Sequence, residues 1–191
     1  RVGPSALPMA HPARSFASDN AAGAHPAVLE ALVAANVGHQ LAYGSDPYTA
    51  EAEARLRDLF GPTAVPFLVF NGTGANVMAL ATMVRPADCV VCTQWAGAPE
   101  RALGAKLQTL PSADAKLVPE QLRELAHLQG VMHHAQPGVV SITQSTELGT
   151  LYTRDEVAAL CDTAHSMGMR VHLDGARIAN ATAALGGTVA A

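Results

Sequence analysis

Cysteine, charge and long apolar runs are all scarce in this sequence, and each scarcity excludes a class of protein. The three cysteines are an odd, sparse set and do not form a disulfide framework. Charged residues make up 15% of the chain and the formal net charge is -4, so no basic surface is available for nucleic acid. No apolar run approaches the roughly 20 residues that a membrane span needs. We therefore expect a cytoplasmic protein with neither a nucleic-acid nor a membrane partner.

The N-terminal segment 1–15 also lacks a continuous apolar stretch, which argues against a secretory signal. We interpret it as an extension, and we expect the folded domain to begin near Phe16. Hydrophobic residues make up 49% of the 191 residues, which is enough for one domain with a substantial core. Because so few residues are charged, part of the apolar surface is expected to lie against a second domain or subunit.

Helix and strand signals alternate along this domain. Five segments have the apolar spacing or composition of helices: 25–37, 48–60, 76–84, 119–128 and 153–167. The third of these is apolar on all sides and is predicted to be buried. Five short apolar runs predict strands: 67–70, 89–92, 106–110, 139–142 and 171–173. The alternation predicts an α/β fold with a mostly parallel central sheet and helices on both faces.

The loop Asn71-Gly72-Thr73-Gly74 lies between a predicted strand and a predicted helix. Glycines allow the backbone to approach a ligand closely, and a helix N-terminus offers unpaired N–H groups to an anion. The loop is therefore either a phosphate site, with the Thr73 hydroxyl as an extra donor, or an ordinary turn. A dinucleotide fingerprint needs a third glycine where Val77 stands, and an acid after the next strand, which continues into Gln94. A nicotinamide enzyme is thus disfavoured.

Asp174 stands at the carboxyl end of the predicted strand 171–173, where ligands of parallel sheets bind. A carboxylate in such a place needs a cationic partner. That partner is either Arg177, in a local ion pair, or the protonated ring nitrogen of a pyridine cofactor. In the second case the carboxylate keeps the nitrogen charged, so that the ring can act as an electron sink.

His133 and His134 stand side by side before the strand 139–142. Neighbours in an extended chain point to opposite faces, so the two are poor joint ligands, and no metal site is predicted. One of them is a functional candidate, although packing or solvent contact is the simpler interpretation of either alone. Cys89 and Cys92 have the spacing of a redox pair, but we interpret both as core residues because positions three apart in a strand face opposite ways.

Taken together, these segments resemble the threonine aldolases, a branch of the aspartate-aminotransferase-like pyridoxal-phosphate enzymes. The resemblance extends from about Ala17 to Leu185, and its specificity lies in the order and spacing of its pieces. The pieces are Ser18-Asp19-Asn20 with Gly23-x-His25-Pro26; Ala42-Tyr43-Gly44-x-Asp46; Asn71-Gly72-Thr73-Gly74-Ala75-Asn76; His133-His134-Ala135-Gln136-Pro137; Thr143-Gln144-Ser145-Thr146-Glu147-x-Gly149-Thr150; and His172-x-Asp174-Gly175-Ala176-Arg177-x-x-Asn180-Ala181.

The resemblance implies a fold and a set of cofactor contacts. Residues 16–191 would form part of the fold-type-I large domain, with the small C-terminal domain missing. Pyridoxal 5'-phosphate would be the cofactor, and Gly72, Thr73 and Gly74 would cradle its phosphate. Asp174 would pair with the pyridine nitrogen, and Arg177 would lie beside the ring, near its phenolic oxygen.

The resemblance also implies contacts with an amino-acid substrate. Ser18 would help to hold the substrate carboxylate, with Arg177 nearby. His133 would match the family histidine near the β-hydroxyl group of the substrate, and His134 is the weaker match. Tyr43 would match a tyrosine that is commonly supplied to the neighbouring subunit, so a homodimer or homotetramer is expected.

Two departures from the family pattern are visible in the sequence. After Trp95-Ala96 the family usually continues with a histidine that stacks on the pyridine ring, whereas here Gly97 follows directly. The only lysines are Lys106 and Lys116, and neither lies in the context of the family's Schiff-base lysine. The simplest interpretation is that stretches of a longer protein are missing from this sequence.

The reaction implied by the resemblance is the cleavage of L-threonine, L-allo-threonine and related β-hydroxy-α-amino acids to glycine and an aldehyde. Such a carbon–carbon lyase would serve threonine breakdown and glycine formation. One alternative is a β-eliminating pyridoxal-phosphate lyase of the same fold. The other is a non-catalytic remnant that serves only for binding or dimer formation.

Overall fold

The computed structural model describes residues 19–96 and 103–189, and the chain divides into two compact units after Ala50. In the first unit, helix α1 spans Pro26–Ala35, and its first residue is a proline, whose missing N–H is harmless there. The Nδ1 atom of His25 caps the helix by accepting the N–H of Ala27 at 3.2 Å. Helix α2 spans Pro47–Phe60 and crosses the division between the units. Both predicted helices are confirmed, within two residues at each end.

The second unit is built on a sheet of four strands, β1 (Asp88–Thr93), β2 (Lys106–Leu110), β3 (Gln136–Thr143) and β4 (Arg170–Asp174). Their spatial order is β2-β1-β3-β4, and every adjacent pair is parallel. The parallel sheet predicted from the alternating pattern is therefore confirmed. Because all four strands run the same way, their carboxyl ends share one edge of the sheet and their amino ends share the other.

Helices cover both faces of the sheet, as predicted, because alternate strand residues point to opposite sides. On one face, strand residues pack against helices α4 (Pro119–Glu124) and α5 (Arg154–Ser166), in a cluster that includes Val91, Val140, Ile142, Leu122 and Leu160. On the other face, helix α3 (Gly72–Met83) contributes Leu80, which packs with Val90 and Val139. A last helix, α6, spans Ile178–Leu185.

The cysteines of β1 are core residues, as the sequence analysis proposed. Cys89 and Cys92 are both 0% exposed, and neither forms a disulfide. Burial raises the pKa of the Cys89 thiol, which keeps it in its neutral form.

The prediction of a buried strand at 67–70 is wrong. The segment forms neither helix nor strand, and the side chains of Phe67 and Phe70 are 78% and 100% exposed. A strand needs a neighbour to pair with its backbone, and no described strand lies beside this segment. The helix after it was also predicted to be buried, but Met78 of α3 is 55% exposed and only Leu80 is buried, because α3 packs against the sheet along one side.

Helix α5 begins with the predicted capping box. The hydroxyl of Thr153 accepts the N–H of Glu156 at 3.2 Å, and the Glu156 carboxylate accepts the N–H of Thr153 at 2.7 Å. Just before it, Tyr152 is 1% exposed, and its hydroxyl accepts the N–H of Leu117 at 2.7 Å. Burial raises the pKa of Tyr152 to about 12, so the phenol stays neutral.

We predict that Tyr152→Phe lowers the free energy of unfolding of the full-length protein by about 1–3 kcal/mol, because the buried N–H of Leu117 loses its acceptor. Urea denaturation measures this change. The matched control is Tyr48→Phe, whose ring is 51% exposed; its effect should stay within about 0.5 kcal/mol. Equal effects of the two substitutions would show that the hydrogen bond to Leu117 has no special value.

Candidate active site

The loop before α3 gives the helix an open N-terminus. Asn71 is extended, and its Oδ1 accepts the N–H of Gly74 at 2.8 Å, which caps the helix. Among the described residues, the N–H groups of Gly72 and Thr73 have no recorded acceptor. A methyl group added at Gly72 would meet nothing within 4 Å. The first turn of α3 therefore presents free N–H groups to open space, which suits an anion.

Asp174 lies at the carboxyl edge of the sheet, close to this turn. Its Oδ2 accepts the side-chain N–H of Asn76, in the second turn of α3, at 2.7 Å. Its Oδ1 accepts the N–H of Ala176 at 3.0 Å, and its backbone carbonyl accepts the N–H of Gln144 at the same distance. The half-buried carboxylate is thus held by α3 and by its own turn, while the backbone of Asp174 is held by Gln144, which follows β3.

Helix α3 runs antiparallel to β4. Arg170, the first residue of β4, donates from Nη1 to the carbonyl of Met83 at the C-terminal end of α3, at 2.7 Å. Asp174, the last residue of β4, contacts Asn76 near the other end of the helix. A cation near the C-terminus and an anion near the N-terminus both interact favourably with the helix dipole.

Arg177 and Glu147 lie next to each other beside Asp174's turn. Arg177 donates from Nε to the carbonyl of Ser145 at 3.1 Å, and its Nη2 lies 3.7 Å from Oε1 of Glu147. The two side chains keep 25% and 30% of their surface exposed, so both remain accessible. Glu147 belongs to the loop that follows β3, and this loop starts at the same sheet edge as Asp174.

The loop that carries Glu147 is closed by its two ends. Gln144 donates from Nε2 to the carbonyl of Tyr152 at 2.8 Å, and the N–H of Tyr152 donates to Oε1 of Gln144 at 3.0 Å. Within this closure, the hydroxyls of Thr146 and Thr150 lie 2.6 Å apart. The shape of the loop is therefore set by residues other than Glu147.

A buried polar pair lies two residues before Asp174. Nδ1 of His172 is 2.9 Å from the hydroxyl oxygen of Ser141, across the β3–β4 pair. His172 is 7% exposed, and burial lowers its pKa, although the charge of Asp174 opposes that shift. The imidazole is therefore neutral at neutral pH.

The structure does not bring His133 to this site. His133 and His134 precede β3, whereas Asp174 ends β4 beside Thr143, the last residue of β3. Seven residue steps of strand separate the two sheet edges, which is about 23 Å. His133 instead lines a cavity of about 570 Å³ with Asp88 and Lys106, the first residues of β1 and β2. The assignment of His133 to the hydroxyl group of the substrate does not fit this position.

The remaining predicted residues fall elsewhere. Ser18 and the extension 1–15 lie outside the described residues. Tyr43 belongs to the first unit, where its side chain is fully exposed and its backbone φ is 62°. Its proposed contact with a neighbouring subunit stays a prediction.

Asn76 and Glu147 are the site residues to which the sequence analysis gave no role. A signal for Glu147 was available, because residues that follow a strand of a parallel sheet lie at its carboxyl edge. The same argument would have placed His133, which precedes a strand, at the opposite edge. Asn76 had no such signal, since the contact with Asp174 joins residues 98 positions apart.

Neither a metal site nor a membrane helix is found in the part of the chain that the structure describes. No three His, Cys, Asp or Glu side chains within residues 19–96 and 103–189 are grouped to hold a metal ion. No helix in those ranges is long and apolar enough to cross a membrane.

Comparison with known proteins identifies similar sequences and structures. A sequence profile described as "Beta-eliminating lyase" matches residues 15–191. A low-specificity L-threonine aldolase of a Pseudomonas species is 41% identical over 190 residues, which cover 95% of this chain and 55% of that protein. Another, from Pseudomonas aeruginosa, is 40% identical over 91% of this chain and 52% of its own length. The chain thus spans about half the length of the curated relatives it matches.

Two solved structures extend the comparison to the fold. Leishmania major threonine aldolase superposes with a TM-score of 0.83 at 29% identity, covering 88% of this chain and 52% of that one. Thermus thermophilus aspartate aminotransferase superposes with a TM-score of 0.56 at 17% identity, covering 77% and 40% of the two chains. The second match, at this low identity, shows a shared fold alone.

The lowered pKa of His172 predicts a pH dependence of stability. Between the pKa of the folded state and the ordinary value of about 6.5, the unfolded chain binds a proton that the native state does not. Stability is therefore expected to fall as the pH drops below about 6.5, until the folded-state pKa is reached.

His172→Asn should remove this contribution to the pH dependence, because an amide does not titrate. The amide can still form a hydrogen bond with Ser141. Urea denaturation on both sides of about pH 6.5 measures the difference between the two proteins. Parallel stability curves for the parent and the variant would contradict the buried neutral state of His172.

Proposed function

The chain belongs to the β-eliminating lyase family, and on this premise we propose that it is the cofactor-binding part of a pyridoxal-phosphate enzyme. The proposed reaction is the cleavage of L-threonine, L-allo-threonine and related β-hydroxy-α-amino acids to glycine and an aldehyde. The names of the Pseudomonas and Leishmania relatives support the choice of reaction. The observation that carries the proposal is a carboxylate, Asp174, fixed at the carboxyl edge of the sheet beside the open N-terminus of α3.

The residues present fit pyridoxal phosphate at both ends of the molecule. Asp174 uses one lone pair of each oxygen for Asn76 and Ala176, so lone pairs remain for a protonated pyridine nitrogen. The first residue of α3, Gly72, lies about 6 Å farther along the helix axis than Asn76. A pyridine ring with its phosphate arm spans a comparable distance, and the phosphate would meet the free N–H groups of Gly72 and Thr73.

When bound, pyridoxal phosphate supplies an electron sink for the electrons released as the Cα–Cβ bond of the substrate breaks. Asp174 holds the proton on the pyridine nitrogen, which the electron sink requires. Asn76 fixes the orientation of this carboxylate from the helix side. Gly74 allows the backbone of the first turn to approach the phosphate.

Arg177 and Glu147 act on the substrate side of the ring. Arg177 is oriented by the carbonyl of Ser145 and by Glu147, and its guanidinium would lie beside the phenolic oxygen of the cofactor and the substrate carboxylate. Ser18 assists in holding that carboxylate. We assign to Glu147, in place of His133, the removal of the β-hydroxyl proton, since a carboxylate at this edge is accessible and can accept it.

Assembly and compartment are finer parts of the proposal. Helix α1 leaves Val28, Leu29, Leu32 and Val33 more than half exposed, which supports burial against another copy in a homodimer or homotetramer. Light scattering on the full-length protein measures the assembly. Cys89, Cys92 and Cys161 form no disulfides, which supports a reducing compartment, and we propose the cytoplasm.

The family description favours one competing function, β-elimination from a substrate such as tryptophan or cysteine. Both reactions need the same cofactor site, so the geometry around Asp174 does not separate them. Product analysis with allo-threonine, tryptophan and cysteine does: release of glycine and an aldehyde supports the proposed cleavage, and release of pyruvate and ammonia supports elimination.

We predict that Asp174→Ala in the full-length protein lowers kcat for threonine cleavage roughly 10²–10³-fold, because the charge that keeps the ring nitrogen protonated is lost. Asp162→Ala, on the exposed surface of α5, is the matched control and should keep the parental rate. A parental rate for Asp174→Ala would remove the assignment of the pyridine partner.

Substitutions of Glu147 and His133 are predicted to have opposite outcomes. Glu147→Gln should slow cleavage by roughly 10²–10⁴-fold, the range for a lost acid–base group, while the cofactor still binds. His133→Phe should leave the rate near that of the parent, since His133 lies at the other sheet edge. Steady-state kinetics with allo-threonine tests both, and a loss that follows His133 would refute the exchange of roles.

The lysine that binds the cofactor should be neither Lys106 nor Lys116. Lys106 begins β2 at the amino edge of the sheet, and Lys116 is held by Glu156 at 2.6 Å and by the carbonyl of Leu151 at 3.2 Å. We expect borohydride reduction of the cofactor-loaded, full-length protein to label a different lysine. That lysine should lie in a region that corresponds to the part of the relatives not matched by this chain. A labelled peptide containing Lys106 or Lys116 in an active preparation would contradict this.

A further inference from the structure

We propose that His172 and Ser141 are a positioning pair that holds Asp174 in place for the pyridine nitrogen of the cofactor. This inference rests on the proposed function and deepens it, because it gives a role to two buried polar residues that touch neither the cofactor nor the substrate. The pair acts through Asp174, so both members are positioning residues.

The register of the sheet places the pair two residues before Asp174, on the same face of the sheet. Ser141 is opposite His172, and Thr143 is opposite Asp174, two residues farther along both strands. Residues two apart in a strand share a face, so His172 and Asp174 both point toward α3. Asp174 contacts Asn76 of that helix, which confirms the direction of the face.

The pair adds a side-chain link to the backbone pairing of β3 and β4. The two strands pair in parallel, with Ser141 opposite His172. The side-chain bond between His172 and Ser141 adds a further link between the two strands, two residues before Asp174. Since a displacement of a catalytic group by about 1 Å can cost 10²-fold in rate, a fixed strand end has a direct effect on the site.

A neutral polar side chain is the one kind of residue that suits this position. His172 and Ser141 are 7% and 9% exposed, so an apolar residue at 172 would leave the Ser141 hydroxyl buried without its partner. A cation at 172 would attract the Asp174 carboxylate and compete with the pyridinium ion for it. Burial lowers the pKa of His172 and keeps the imidazole uncharged, which avoids this competition.

The test compares two ligands that differ in the one atom Asp174 is proposed to hold. The probes are pyridoxal phosphate and its 1-deaza analogue, in which carbon replaces the ring nitrogen. Dissociation constants for both are measured by absorbance and fluorescence titration of the full-length apoprotein. In the parent protein pyridoxal phosphate should bind roughly tenfold to hundredfold more tightly, the value of a charge-assisted hydrogen bond.

Three variants then separate positioning from general stability. His172→Leu and Ser141→Ala should each reduce the affinity ratio of the two ligands by about fivefold or more, because Asp174 loses its fixed position. His172→Asn should restore most of the ratio, since its amide reaches the place of Nδ1. Val139→Ala removes a buried side chain two residues before Ser141 on the same face, so it should lower the melting temperature and leave the ratio unchanged.

The outcomes distinguish this inference from the proposed function. A full parental ratio in His172→Leu, or an equal loss of the ratio in Val139→Ala, would overturn the positioning role while the cofactor site stands. Equal binding of the two ligands by the parent protein, or no binding of either, would overturn the proposed function and the inference with it. A loss in His172→Leu and Ser141→Ala, with recovery in His172→Asn, supports the pair.

Discussion

The hydrogen bond between Asn76 and Asp174 is the contact on which the arrangement of the site depends. It joins a helix and a strand that are 98 residues apart in the chain. With the contact of Arg170 and Met83 at the opposite end, it fixes α3 lengthwise along β4. The same two contacts place a cation near the C-terminus of the helix and an anion near its N-terminus, where the dipole favours each. The free N–H groups of the first turn of α3 and the Asp174 carboxylate therefore lie at the same edge of the sheet, where one ligand could contact both.

The rest of the site follows from the single direction of the strands. In a parallel sheet every strand delivers its last residues to the same edge, so loops that are distant in sequence meet there. Asp174 and Arg177 lie at and after the end of β4, and Ser145 and Glu147 follow the end of β3. The first turn of α3 lies near the same edge, on the face of the sheet that α3 covers. The amino edge carries a separate group of charges around Asp88, Lys106 and the two histidines. The fold thus keeps two sets of titratable groups apart.

Local sequence signals predicted most elements of this fold, because their causes are local. Thr153 and Glu156 indicate a helix start through a capping box whose two members are only three residues apart. Burial of Val90, Val139 and the β1 cysteines follows from apolar runs bounded by turns. The prediction of a strand at 67–70 is wrong because a strand also needs a neighbouring strand to pair with. Such a neighbour is not encoded in the local apolar pattern. Motifs in the sequence nominate Gly72 to Gly74, Asp174 and Arg177 as candidate site residues. The contact of Asn76 with Asp174 is visible only in the tertiary structure, and His133, taken from the family resemblance, lies at the opposite sheet edge.

The closed loop after β3 has a consequence for how such a protein can diverge. Its backbone conformation is held by the two hydrogen bonds between Gln144 and Tyr152 and by the hydrogen bond between the hydroxyls of Thr146 and Thr150. Glu147 contributes nothing to that closure, yet its side chain reaches Arg177. A substitution at position 147 therefore changes the side chain that reaches Arg177 and leaves the hydrogen bonds that shape the loop in place. The side chain at this position can therefore diverge without a change in the backbone of the loop.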